Sequence, residues 1–298
     1  MKTACAIGLL ITLLVALPVM AMAGVTWKFG DEGEVDLGLS LQTLARMTDF
    51  RNPNTNDADS GLDLLLRRGL IRLGGNYTDY FKFFLQTEAR ASTASDADLY
   101  MTDANVNFHY KEIAQLILGL QQPPADRELL TSDDALMCID RPALTGYKLT
   151  EGMRSRVEFN TAALGNTNSG LWGPVHDRDI GATVFGAYSY SDTLHFKYYG
   201  GIYEGMQKDN NGSTQLRYTT RLQMNLFDPE PDYYNLGTYL GTKKTVAIGW
   251  SNDVQNNVTT NLKNGNGVEY FAANTVDLFV EYPTGSGSAT LELAIEHT

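Results

Sequence analysis

Residues 215–226 read QLRYTTRLQMNL, a run that places Arg217 and Arg221 four positions apart. Guanidinium groups stay charged at any physiological pH and carry five donors in a fixed fork. A row of them can offer an anion successive, weakly hydrated stations. The other side chains available for such chemistry are Arg67, Arg68, Arg72, Arg127, Arg141, Arg154, Arg156 and Lys197. The competing use of the same cations is to pair with carboxylates and stiffen a wall. Glu88, Glu158, Asp277, Glu281, Glu292 and Glu296 are placed to serve as those partners.

Catalytic chemistry has little support. His109, His176, His195 and His297 are far apart and lack metal-ligand spacing, so His195 reads as a polar residue on an inward face. No nucleophile motif surrounds the serines or aspartates, so neither an enzyme nor a cofactor is expected. DADSG at 57–61 and DNNGS at 209–213 lack the later acidic ligand of a calcium loop and read as turns.

The elements that must carry these cations are strands. In 215–226, Leu216, Tyr218, Thr220, Leu222, Met224 and Leu226 alternate with Gln215, Arg217, Thr219, Arg221, Gln223 and Asn225. Successive strand side chains point to opposite faces, so one face is apolar and the other cationic or amide-bearing. A soluble sandwich would bury the apolar face; an outer-membrane barrel turns it to lipid. The same alternation recurs at 35–41, 81–85, 104–110, 114–120, 194–198, 246–250, 276–282 and 291–295, and in RSRVEF, where Arg154 and Arg156 oppose Val157 and Phe159. With 62–73 and 180–190 this makes about twelve strands. In 62–73 the neighbours Arg67 and Arg68 must point opposite ways, so either Arg67 or the pair Arg68 and Arg72 joins the polar face. Lys111-Glu112 reads as a tight turn, whereas 49–61 and 251–268 read as long polar connections. Short connections alternating with long ones, and several of the sixteen tyrosines near strand ends, favour a transmembrane antiparallel β-barrel.

The N-terminus agrees. Met1-Lys2, an apolar run from Ala4 to Leu17, Pro18 and the small-residue pattern Ala21-Met22-Ala23 make a secretory leader over 1–23. Its removal takes away one lysine and no acid, moving the formal charge from -12 to -13. So acidic a chain lacks the basic footprint of a nucleic-acid binder. Cys138 alone remains after the leader, which excludes an internal disulfide and reads as a small packed side chain. No later segment holds about 18 consecutive apolar residues, so any membrane crossing is made by strands.

Four passages resemble the phosphate-selective porins O and P of Gram-negative outer membranes. They are DYYNLGTYLGTKKTVAIGWSNDVQNN at 232–257, TVDLFVEYPTGSGSATLEL at 275–293, RDIGATVFGAYSYSDTLHFKYYGGIYEG at 178–205 and LILGLQQPPADRELLTSDDALMCIDRPAL at 116–144. The resemblance covers most of 24–298, and the order of the passages carries it. It implies a homotrimeric all-β barrel in outer-membrane lipid that passes small anions, such as phosphate or other oxyanions, without a cofactor. It also implies that 122–150, with Arg127 and Arg141, folds inward as a constriction loop. The chain departs from the family in two ways. Sixteen strands are expected, yet it stops after the twelfth, which reads as a C-terminal truncation. The family's constriction is lysine-rich, whereas 122–150 offers only Lys148 beside its arginines. Two other uses remain open: a barrel that sheathes an electron-transfer or export partner, and a soluble periplasmic β-sandwich that binds a ligand.

Overall fold

The computed structural model describes residues 23–30, 32–51, 58–91, 98–132, 134–138, 178–205, 215–256 and 270–297. They form β1 (Ala23–Phe29), β2 (Gly33–Arg51), β3 (Ala58–Thr78), β4 (Phe81–Ala91), β5 (Asp98–Lys111), β6 (Ala114–Gln121), β7 (Asp179–Ser191), β8 (Leu194–Tyr203), β9 (Arg217–Phe227), β10 (Thr245–Gln255), β11 (Phe271–Thr284) and β12 (Gly287–His297). These strands make one antiparallel sheet ordered β1 to β12, each strand beside its neighbours in sequence. The described residues contain no helix. Contacts divide them into two units, the residues up to Gly75 with Phe84–Met101, and Asn76–Phe83 with the residues from Thr102 onward.

In the second unit the burial pattern answers which face of 215–226 is covered. Arg217, Thr219, Arg221, Gln223 and Asn225 are buried, whereas Leu222 is 53% exposed and Leu216 and Tyr218 are nearly as open. The same inversion runs along β10, where Ser251, Asp253 and Gln255 are buried while Ile248 and Trp250 face outward. It continues in β11, with Thr275, Asp277 and Glu281 inside and Val276 and Tyr282 outside. Register lines the apolar positions into a ladder: Leu222 opposes Trp250, Trp250 opposes Val276, and Val276 opposes Ile295. A covered polar face and an open apolar face are the reverse of a soluble sheet and the arrangement of a barrel wall in lipid.

In the first unit Leu37, Leu39 and Leu41 of β2 are exposed and Ser40 is buried. β3 changes phase along its length: Leu62 and Leu64 are open, then Arg68 and Leu70 are buried and Ile71 is open. The two arginines could not be phased from sequence because the strand does not keep one parity throughout.

Several boundaries differ from expectation. β1 was absent from the sequence count, and the expected strand around Arg154–Phe159 lies outside the described residues. β2 runs to Arg51 and β3 begins at Ala58, so the connection expected over 49–61 is much shorter. The β5–β6 turn falls on Glu112-Ile113, one residue later than expected. Cys138 is exposed, not packed.

One connection breaks the pattern of short turns. Strands β7 and β8 meet through Asp192-Thr193, and β11 and β12 through Gly285-Ser286. On that same edge of the sheet, however, β9 and β10 are joined by the whole of Asp228–Lys244. It starts from Phe227 at φ 72°, a left-handed conformation that a bulky side chain rarely adopts.

Candidate functional site

The buried polar face of the second unit is covered by two segments that leave the sheet. The first follows β6. Its short turns are closed by Ala125 N donating to Pro123 O at 2.8 Å, Thr131 N to Glu128 O at 3.1 Å and Thr131 Oγ1 to Arg127 O at 3.1 Å. The Asp126 carboxylate accepts from Leu129 N. The second is the β9–β10 connection, which meets the first through Asn235 N and Leu130 O at 2.9 Å and a bridge between Thr131 and Asn235. An aromatic knot fixes them to the sheet: Tyr233 packs on Phe185, Tyr199 and Leu130, and its hydroxyl donates to Gln122 O at 2.6 Å. Tyr199 OH in turn donates to Tyr233 O at 2.8 Å.

Arg127 lies where the two segments meet. Its Nη1 and Nη2 donate to Glu230 at 2.8 and 2.6 Å, Nη2 also reaches Leu236 O at 3.2 Å, and Nε is 3.9 Å from Glu292. The guanidinium stands 3.7 Å from the centre of the Phe279 ring. Glu230 also accepts from Gln223 Nε2 at 2.9 Å, Asn225 Nδ2 at 2.8 Å and Tyr239 OH at 2.5 Å. Burial alone would raise the Glu230 pKa, but the charge and hydrogen bonds of Arg127 outweigh it and hold the carboxyl well below its usual range. Burial would likewise lower that of Arg127, and Glu230 more than reverses it. Asp126 lacks such a partner: burial pushes it up to about 7, opposed by the Leu129 N–H and reinforced by Asp277.

The strand arginines are paired in the same way. Arg217 holds Asp253 through Nε at 2.8 Å and Nη2 at 2.6 Å, with Asp179 at 3.4 Å. Arg221 grips Asp277 through both terminal nitrogens, donates to Ser251 Oγ at 2.9 Å and to Gln223 Oε1 at 3.0 Å. Lys197 differs. It donates to Asn235 Oδ1 at 3.1 Å and lies 5.3 Å from the Tyr199 ring centre, and among the described residues no carboxylate comes within ion-pair distance. Together with His195, Asn225 and Glu230 it lines a cavity of about 90 Å³ near the short-turn edge, room for more than one water. His195 bridges Ser189 Oγ at 2.8 Å and Phe227 O at 2.7 Å.

The structure thus brings Arg127, Lys197, Arg217 and Arg221 onto one buried face. In the first unit Arg68 is buried, donating to Gln42 Oε1 at 3.2 Å and lying 3.9 Å from Glu88, and Arg72 donates to Gln86 Oε1 at 2.6 Å. Arg67 is half-buried. Arg141, Arg154 and Arg156 lie outside the described residues. Of the carboxylates marked in the sequence, Asp277, Glu88 and Glu292 meet arginines, whereas Glu281 is taken by backbone, accepting from Tyr239 N and Gly241 N at 2.7 Å each. Glu230 and Asp253 were missed. Asp253 shares the phase of Ser251 and Gln255 and was legible in principle; Glu230 sits in a connection, where no period applies.

Among the described residues of this unit, the buried cations Arg127, Arg178, Lys197, Arg217 and Arg221 are outnumbered by buried Asp103, Asp126, Asp134, Glu230, Asp253, Asp277 and Glu281. No group of three or more His, Cys, Asp or Glu among the described residues is arranged to hold a metal. Among the described residues no helix is long and apolar enough to cross a membrane. No curated protein matches the chain. A model of the family described as phosphate-selective porin O and P matches residues 37–225.

Proposed function

The chain belongs to the phosphate-selective porin O and P family, and on that premise we propose that it is an outer-membrane channel through which small anions, phosphate or related oxyanions, diffuse passively. The single observation that carries this reading is the inverted wall, with Arg217, Arg221 and Gln223 covered and Leu222 and Trp250 open. Such a wall is suited to lipid on one side and a polar passage on the other, which disfavours a soluble sandwich. The packing of 122–131 and 228–244 against the polar face supports a narrow passage over a wide sheath for a protein partner. In this reading 122–150 is the constriction loop, residues 1–23 are a removed leader, and the channel works as a homotrimer.

Arg67, Arg68, Arg72, Arg127, Arg141, Arg154, Arg156, Lys197, Arg217 and Arg221 are the proposed anion-guiding set, with unequal parts. Arg127, Arg217 and Arg221 give most of their donors to carboxylates and chiefly shape the wall. Lys197 is the better station, because its ammonium has three donors and one protein acceptor. An oxyanion there exchanges part of its hydration shell for charge-assisted hydrogen bonds and leaves again, since a single cation binds weakly enough for release. The test is chloride current through the protein in planar bilayers. Phosphate should inhibit it at saturating concentrations, and Lys197→Met should weaken that inhibition several-fold while Lys197→Arg retains it. Currents carried mainly by cations and indifferent to phosphate would contradict the proposal.

A further inference from the structure

We infer that Glu230 is a specificity-determining residue, a built-in counter-charge that cancels Arg127 where the two inward segments meet and so limits how strongly the passage favours anions over cations. The inference rests on the channel reading above, but not on phosphate being the solute.

Glu230 is held as a carboxylate with unusual completeness. Both oxygens are engaged by the Arg127 fork, and Gln223, Asn225 and Tyr239 supply three more donors. The pair is nearly free of solvent, with Arg127 at 0% and Glu230 at 2% side-chain exposure. Bidentate contact uses the two Arg127 nitrogens that an arriving anion would need, and the Phe279 ring covers one face of the guanidinium. While Glu230 is ionised, its charge therefore offsets that of Arg127, and the one guanidinium nitrogen without a hydrogen bond is Nε, buried 3.9 Å from Glu292. Its position matters as much as its chemistry: Glu230 comes from the connection on the short-turn edge, and Arg127 from the segment that follows β6. Their charges cancel at the junction of two segments that both project from the wall, and salt screens such covered charges far less than exposed ones.

Asp253 repeats the device at the opposite end of β9, holding Arg217 through a fork of 2.8 and 2.6 Å. A pair that served assembly alone would be indifferent to the sign of its remaining member. A counter-charge is not, and that difference is measurable.

The experiment compares reversal potentials in a potassium chloride gradient for the full chain and three variants. Glu230→Gln keeps the shape of the side chain and unmasks Arg127, so the chloride-to-potassium permeability ratio should rise several-fold, roughly 2- to 10-fold for one unit charge added near the path. Arg127→Gln unmasks Glu230 and should lower the ratio by a similar factor. The double variant Arg127→Gln/Glu230→Gln should return towards the parent. Shifts of the same sign in both single variants, or changed conductance at an unchanged ratio, would overturn the inference and leave the pair a structural fastening. Should Glu230→Gln fail to assemble, Asp253→Asn and Arg217→Gln carry the same sign test. A parent protein without anion preference would count against the anion-channel reading alone, because the sign test compares variants with one another.

Discussion

Replacing Asp277 by Asn should destabilise the protein by about 3–5 kcal/mol, the cost of leaving a buried cation without its partner. The geometry sets this value near the top of what an ion pair can contribute. Arg221 is 0% exposed and its partner 1%. Both terminal nitrogens of Arg221 reach Asp277, their other contacts, Ser251 and Gln223, have no charge with which to compensate, and Nε is buried without a hydrogen bond. Asn keeps the volume and one acceptor, so the loss is electrostatic and not a cavity. Nor can the guanidinium move aside freely, since Gly249, opposite both Gln223 and Asp277, leaves only the space of a missing Cβ beside it. Equilibrium urea unfolding of the protein in phospholipid vesicles, followed by tryptophan fluorescence, measures the change. The double replacement Arg221→Met/Asp277→Leu should cost much less than Asp277→Asn, because it leaves no charge behind. A loss below about 1 kcal/mol for Asp277→Asn would refute the reasoning, as that is the range of a water-exposed pair.

Leu222→Arg places a charge on the open apolar face midway along β9 and should cost about 2–4 kcal/mol in the same unfolding assay, whereas Leu222→Phe should stay within about 1 kcal/mol. Asp126 titrates near 7 when folded against 3.8 when free, so over that interval the unfolded chain binds fewer protons and stability falls as pH rises. The fall is at most about 1.4 kcal/mol per pH unit, and Asp126→Asn should flatten it between pH 5 and 7. Glu230, whose pKa is depressed, affects stability only on the acid side of that window, because its contribution is lost as pH falls below the unfolded value of 4.5.

The wall was largely legible in the sequence, and for a definite reason. Strand periodicity is local, so the even positions of 216–226 and the odd positions facing them separate without knowledge of the strand's neighbours. β1 escaped because Val25, Trp27 and Phe29 directly follow the leader's cleavage pattern and form only one short alternating run. β3 resisted because it changes parity between Leu64 and Ile71, and a strand that switches faces has no single phase to read. The site was less legible than the wall. Arg127 and Glu230 are separated by 103 residues and both lie in connections, so neither period nor spacing joins them. Arg217 and Arg221 were found as cations, but their capture by Asp253 and Asp277 depends on the β9–β10–β11 register, which is set only once the strands are aligned.

The central claim, that the apolar face meets lipid and the polar face lines the passage, is tested most directly at Trp250. This side chain is 41% exposed and lies between Leu222 and Val276 in the outward ladder. With Trp27 and Trp172 replaced by Phe, the fluorescence of the reconstituted protein reports on Trp250 alone. Lipids brominated along their acyl chains should quench it strongly, and aqueous iodide should leave it nearly untouched. Efficient quenching by iodide with no response to brominated lipid would place this face in water and contradict the account.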